Sequence, residues 1–89
     1  MRAVLTVIGK DTVGILSKVS AICADYNANI TEVTQSVLQD MFAMIMLADI
    51  SKLNTNFTEL SDRMKLLGNE LGLSIHVMHE DIFNSMHRI

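Results

Sequence analysis

Apolar residues recur along this chain with two periods, near 2 and near 3.6, and the points where the period changes mark its elements. Residues 2–9, RAVLTVIG, are rich in Val and Ile and close on Gly9, which predicts a buried strand. Residues 10–13, KDTV, form a short polar loop from which Asp11 or Thr12 can cap a following helix. Over 14–26 the side chains of Ile15, Val19, Ile22 and Tyr26, flanked by Leu16 and Cys23, fall on one helical face. Asn27-Ala28-Asn29 ends that helix, because Asn tolerates the left-handed backbone that closes helices.

Residues 30–38, ITEVTQSVL, are dominated by β-branched types, with Val33, Gln35 and Val37 on one face, and predict a strand. Gln39-Asp40 is a tight turn. The segment 41–50, MFAMIMLADI, is apolar on both sides, and its length and the preceding turn favour a hairpin strand over a buried helix. A strand apolar on both sides implies that the second face of its sheet is covered too. Residues 55–71 place Phe57, Leu60, Met64, Leu67 and Leu71 at helical spacing, with Asn56 and Glu59 as a capping box and Gly72 as the terminal cap. Residues 73–79, LSIHVMH, alternate as a half-exposed strand. A short helix over 80–88 follows from the shared face of Ile82, Phe83 and Met86, with Glu80 and Asp81 at its start and His87 and Arg88 at its end.

The order βαββαβ plus a terminal helix predicts an α+β, ferredoxin-like fold. Right-handed crossovers give an antiparallel sheet in the order 4-1-3-2, with two helices on one face. Strand 30–38 then lies at an edge, open to pairing.

Composition narrows the function classes. With 89 residues there is room for one core, and at 49% hydrophobic and 19% charged the chain is globular rather than disordered. A domain so small is marginal alone, and oligomerisation adds burial. The net charge of −3 and the lack of a basic stripe argue against a nucleic-acid surface. The single cysteine, Cys23, excludes an internal disulfide and a Cys-cluster metal site. No apolar run is long enough to span a membrane, and no secretory signal opens the chain, so it reads as mature, soluble and cytoplasmic.

The fold hosts several chemistries, which the residues sort. A metal chaperone needs a CxxC pair in the first loop, and this loop is KDTVG. RNA binding needs aromatics on the middle strands, which offer Phe42 alone. Phosphate hydrolysis of the acylphosphatase kind needs an arginine in the first loop, where Lys10 is the only cation. The segment Lys10–Leu16 has two readings. In one, the helix amides hold a carboxylate, Asp11 holds an ammonium group, and bare Gly14 admits a free amino acid. In the other, Asp11 caps the helix and Gly14 only permits tight packing.

The stretch VIGKDTVGILSKVSAICADYNANI resembles the opening of ACT domains: strand, G-x-D-x-x-G-[IV]-[LV], helix, then Asn-Ile starting strand two. The match falls on Asp11, Gly14, Ile15, Leu16, Val19, Asn29 and Ile30. The chain length agrees, and the ending DIFNSMHRI resembles the terminal helix of small stand-alone ACT proteins of bacteria, which are similar to the ACT part of the glycine cleavage repressor. The resemblance implies one ACT domain over 1–89, a regulatory module that dimerises and binds a small-molecule effector, an amino acid. It implies an effector held between the loop Lys10, Asp11, Thr12, Val13, Gly14, Ile15 and Leu16 of one protomer and Asn29, Ile30 and Thr31 of the other. An unlinked protein target is implied too, since no catalytic domain is attached. This chain departs from the family at Thr12-Val13, where Arg-Pro is frequent, and at Asn27, where glycine is frequent.

Other residues carry less. His76 and His79 point to opposite faces of a strand, so no metal site forms with His87, and no cofactor is expected. Met44 and Met46 share a face and are either core filling or an adaptable interface on the open side of the sheet, the reading favoured by the two-sided apolar strand. Cys23 reads as a buried structural thiol, Ser17 and Ser20 lack triad partners, and no carboxylate pair stands out, so the chain is not read as an enzyme. The alternative to effector binding is a constitutive protein–protein adaptor with no small-molecule ligand.

Overall fold

The Val- and Ile-rich opening forms β1 (Arg2–Lys10), followed by α1 (Ile15–Asp25), β2 (Asn29–Leu38) and β3 (Met41–Asp49). Then come α2 (Phe57–Leu71), β4 (Ser74–His79) and α3 (Glu80–Met86). The computed structural model describes residues 1–10 and 13–86. The strands lie in the order β2-β3-β1-β4, every neighbouring pair antiparallel, so β1 and β2 run parallel with β3 between them. This is the expected ferredoxin-like sheet, read from its other edge.

Strand alternation sets the layers. On β3, Phe42, Met44, Met46 and Ala48 are buried while Met41, Ala43 and Ile45 are exposed. The buried set joins Ala3, Leu5 and Val7 of β1 and Ile75 of β4 beneath Ile15, Val19, Ile22 and Cys23 of α1 and Leu60, Met64 and Leu67 of α2. The favoured interface reading of Met44 and Met46 is therefore wrong. The register pairs them with Val7 and Leu5, which lie in the helix-side core, so both are core residues. The expectation that the second face of β3 is covered holds only in part, because Met41 and Ile45 stay exposed.

The helix ends follow local chemistry. The N-cap position of α1 is Gly14, at φ 82, and the expected capping residues Asp11 and Thr12 lie outside the described residues. The expected helix thus loses its first residue to the cap. It closes one residue early, where Asn27 takes φ 61. There the Ala28 N–H donates to Cys23 O at 2.8 Å and the Asn27 N–H to Ala24 O at 3.1 Å, the paired closure of a Schellman motif. On α2, Asn56 Oδ1 accepts from the Glu59 N–H at 2.8 Å, so the helix starts at Phe57 rather than 55. The other arm of the expected capping box is absent, since the Glu59 carboxylate takes the Thr55 hydroxyl instead. Gly72, at φ 70, ends the helix as predicted. The terminal helix is described to Met86, and His87 and Arg88 lie outside the described residues.

Candidate functional site

The loop after β1 and the start of α1 form one wall of a hollow of ≈ 340 Å³, lined by Val13–Ser17 with Gln35 of β2 and Phe42 of β3. Each wall has a local cause. The glycine at position 14 turns the chain into the helix through a left-handed backbone that an L side chain adopts at a cost of roughly 1–2 kcal/mol. Among the described residues, chain neighbours aside, a Cβ there would meet no atom within 4 Å, so the space beside it is open rather than filled by packing. The tight-packing reading of Gly14 therefore does not hold, and its conformation is what requires glycine.

The first helical bond of α1 runs from the Lys18 N–H to Gly14 O at 2.9 Å. The amides of Ile15, Leu16 and Ser17 precede it, and among the described residues no side chain caps them. These N–H groups carry the positive end of the helix dipole and suit a carboxylate or other anion. The opposite wall is mixed. The buried Phe42 ring forms an apolar floor, while the exposed Gln35 brings an amide that both donates and accepts. Neither residue was among the expected contacts. A signal for Gln35 was present, namely a polar residue between Val33 and Val37 on an otherwise apolar strand face. Phe42 gave none, because only the register with β1 and β2 brings it under the loop.

Of the expected loop contacts, Val13, Gly14, Ile15 and Leu16 line the hollow. Lys10 ends β1 opposite Met41, and Asp11 and Thr12 lie outside the described residues. Asn29, Ile30 and Thr31 sit elsewhere. They follow the far end of α1, and an 11-residue helix separates them from Gly14 by about 16 Å. Asn29 and Ile30 border a second hollow of ≈ 400 Å³ with Ser20, Ala24, Asn27 and Ala28. Thr31 occupies a bulge in β2, and its hydroxyl donates to the Leu47 carbonyl at 3.2 Å. Among the described residues the two halves of the expected site do not meet within one copy.

The histidines are also apart. His76 is exposed opposite Thr6, whereas the His79 ring stacks on Phe57 with centroids 4.2 Å apart and planes 17° off parallel. Among the described residues no three His, Cys, Asp or Glu side chains converge as metal ligands would. Burial pushes the Cys23 thiol up to about 11, so it stays protonated and unreactive at neutral pH. Among the described residues no helix is long and apolar enough to cross a membrane.

Residues 2–78 match the family model of the ACT domain. A UPF0237 protein of Listeria innocua is 46% identical over 89 residues, covering 100% of both chains. Among solved structures, an ACT domain protein from Streptococcus pneumoniae superposes with a TM-score of 0.80 at 34% identity, covering 93% of each chain. A proposed glycine cleavage system transcriptional repressor superposes at 0.75 with 23% identity, over 86% of this chain and 44% of that one, which shows a shared fold.

Proposed function

The chain belongs to the ACT-domain family, and from that premise we propose that it is a regulatory module that binds a small metabolite of the amino-acid class beside Gly14. It works as a dimer and acts on a separate protein. One observation carries the reading: the first turn of α1, the bare α-carbon of Gly14 and the Gln35 amide share one hollow. The amides take the α-carboxylate, Gln35 and the Phe42 floor receive the rest of the ligand, and Asp11, by its place in the loop, takes the ammonium group. The volume of ≈ 340 Å³ lies at the small end of ligand pockets. The hollow is open on one side, and Asn29, Ile30 and Thr31 of a second copy close it in this reading. Occupancy then couples to assembly, because ligand binds only the paired form.

A thermal-shift panel of the twenty amino acids tests this. A ligand at a hundred times its dissociation constant adds about 2.7 kcal/mol, which for a domain of this size is a rise of roughly 10–20 °C. One amino acid raises the melting temperature, and Gly14→Val removes that rise while the sheet stays folded. A saturating panel without a shift overturns the reading in favour of the ligand-free adaptor.

A further inference from the structure

We propose that a further hollow, at the opposite end of α1 from Gly14, binds a small zwitterion, with its ammonium group inward on Asp49 and its carboxylate outward on Lys52. This site goes beyond the Gly14 reading and does not depend on it.

The hollow has a volume of ≈ 340 Å³, and the described residues that line it, Asn27, Asn29, Asp49, Ser51 and Lys52, are all polar. Three segments of the chain bring them together. Asn27 closes α1, Asn29 and Asp49 face each other across β2 and β3, and Ser51 and Lys52 begin the loop that leads to α2. Backbone and side-chain bonds hold these walls in place. Asn27 Nδ2 donates to Lys52 O at 2.7 Å, and the Ile50 N–H donates to Met1 O at 3.0 Å. Walls held in this way stand ready before a ligand arrives.

The groups that line the hollow lack donors rather than acceptors. Ser51 directs its N–H and its hydroxyl proton to Asp49 Oδ1, at 2.9 and 2.7 Å, so the hydroxyl oxygen retains only lone pairs. Asn27 directs its Nδ2 to Lys52 O, so its Oδ1 remains an acceptor. Among the described residues Asp49 forms no ion pair, and its Oδ2 accepts no bond. The Ser51 N–H first, and then its hydroxyl, hold the Asp49 carboxyl below the usual range, with smaller help from the charges of the Met1 ammonium and Lys52. The carboxylate is therefore ionised at neutral pH. A primary ammonium group carries three N–H donors on one compact head, which is what this set of oxygens lacks. The negative end of the α1 dipole lies at the same place and adds to the attraction. The Gly14 hollow stands at the positive end of the same helix, where a carboxylate is favoured instead.

Lys52 adds the second half of the ligand. It is exposed on the rim of the hollow and, among the described residues, forms no ion pair. A plain amine would leave that cation without a partner, and a plain carboxylate would leave Asp49 without one. A molecule with both groups satisfies both side chains.

The test is titration of glycine, the smallest such zwitterion, into isotopically labelled protein, followed by two-dimensional NMR. Glycine is expected to move the side-chain amide signals of Asn27 and Asn29 and the Ser51 N–H signal to saturation. Glycine betaine, whose nitrogen carries no N–H, is expected to move none of them. Asp49→Asn keeps an oxygen for the two Ser51 bonds and so keeps the fold, but it should weaken glycine by about tenfold or more. Lys52→Gln keeps the carbonyl that Asn27 uses and should weaken glycine several-fold, as the loss of an exposed charge does. The proposal is overturned by wild-type signals that stay still, by an equal response to betaine, or by either variant binding as the wild type does. Signals that move only at Gly14 and Gln35 also overturn it, while they uphold the Gly14 reading.

Discussion

Asn27 donates its side-chain amide to the Lys52 carbonyl at 2.7 Å while its own backbone stands at φ 61. The loop returns the contact, since Asn54 donates from its side chain to Asp25 O at 2.8 Å and from its backbone to Tyr26 O at 3.1 Å. One residue thus closes α1 and ties it to the loop before α2. Asn27→Gly keeps the left-handed backbone and loses the side-chain bond, at a cost of about 1 kcal/mol. Asn27→Ala loses the bond and adds left-handed strain, at about 2–3 kcal/mol. Urea unfolding should rank wild type above Gly above Ala, and equal costs for the two variants would remove the strain from the account.

Gln39 offers the opposite opportunity. It sits at φ 58 in the two-residue turn between the paired Leu38 and Met41, where its side chain makes the backbone unfavourable. Relief of roughly 1–2 kcal/mol of strain outweighs the roughly 0.5–1 kcal/mol that glycine loses to unfolded-chain entropy. Gln39→Gly is expected to stabilise the protein by about 0.5–1 kcal/mol, read as a higher urea midpoint with an unchanged slope. A lower midpoint would contradict the turn geometry.

Gly68 should resist a substitution that helices usually welcome. Alanine in a helix interior ordinarily gains about 1 kcal/mol over glycine. Here the added Cβ would lie 2.7 Å from the Leu73 backbone oxygen, which cannot swing aside as a side chain can. Overpacking of that kind costs roughly 1–3 kcal/mol and wins. Gly68→Ala is therefore net destabilising, by about 1 kcal/mol, as thermal denaturation can measure.

Cys23 supplies a pH signature. Its folded thiol is held up at about 11, while the unfolded thiol ionises at its ordinary value. Below that ordinary value, about 8.5, both states are neutral and the full stability is present. As pH rises from there towards 11 the unfolded chain ionises first, and stability falls. Cys23→Ala should remove that part of the slope in urea titrations. In the native wild type, a thiol reagent should label Cys23 slower than the unfolded chain by about a thousandfold or more.

Asp49 titrates the other way. Its Oδ1 accepts from the Ser51 N–H at 2.9 Å and from the Ser51 hydroxyl at 2.7 Å, and these bonds, the backbone one first, hold its carboxyl below the usual range. The stabilisation is present above the unfolded value, near 4, and is lost as pH falls through the lower folded one. Ser51→Ala should raise the Asp49 value only partway, because the backbone bond remains. A full return to the ordinary value in an NMR titration would assign the effect to the hydroxyl instead.

Periodicity determined the element order and brought the described helix ends to within two residues, because a strand with one buried face and a helix with one buried stripe write their periods into the chain, and right-handed crossovers then fixed the sheet topology. Gly72, Asn56 and Asn27 were legible for the same kind of local reason, each meeting a backbone need within a few residues. The loop Val13–Leu16 was legible as one wall of the candidate site, since a glycine before a helix is a local event. Tertiary structure decided what distance in sequence conceals. Register placed Met44 and Met46 in the core and left Met41 and Ile45 outside, although all four read alike along the chain. Register also set Phe42 and Gln35 under the loop after β1, and the length of α1 separated that loop from Asn29. These are pairings between strands joined only through the rest of the fold, and a pattern read along one strand has no knowledge of its neighbour.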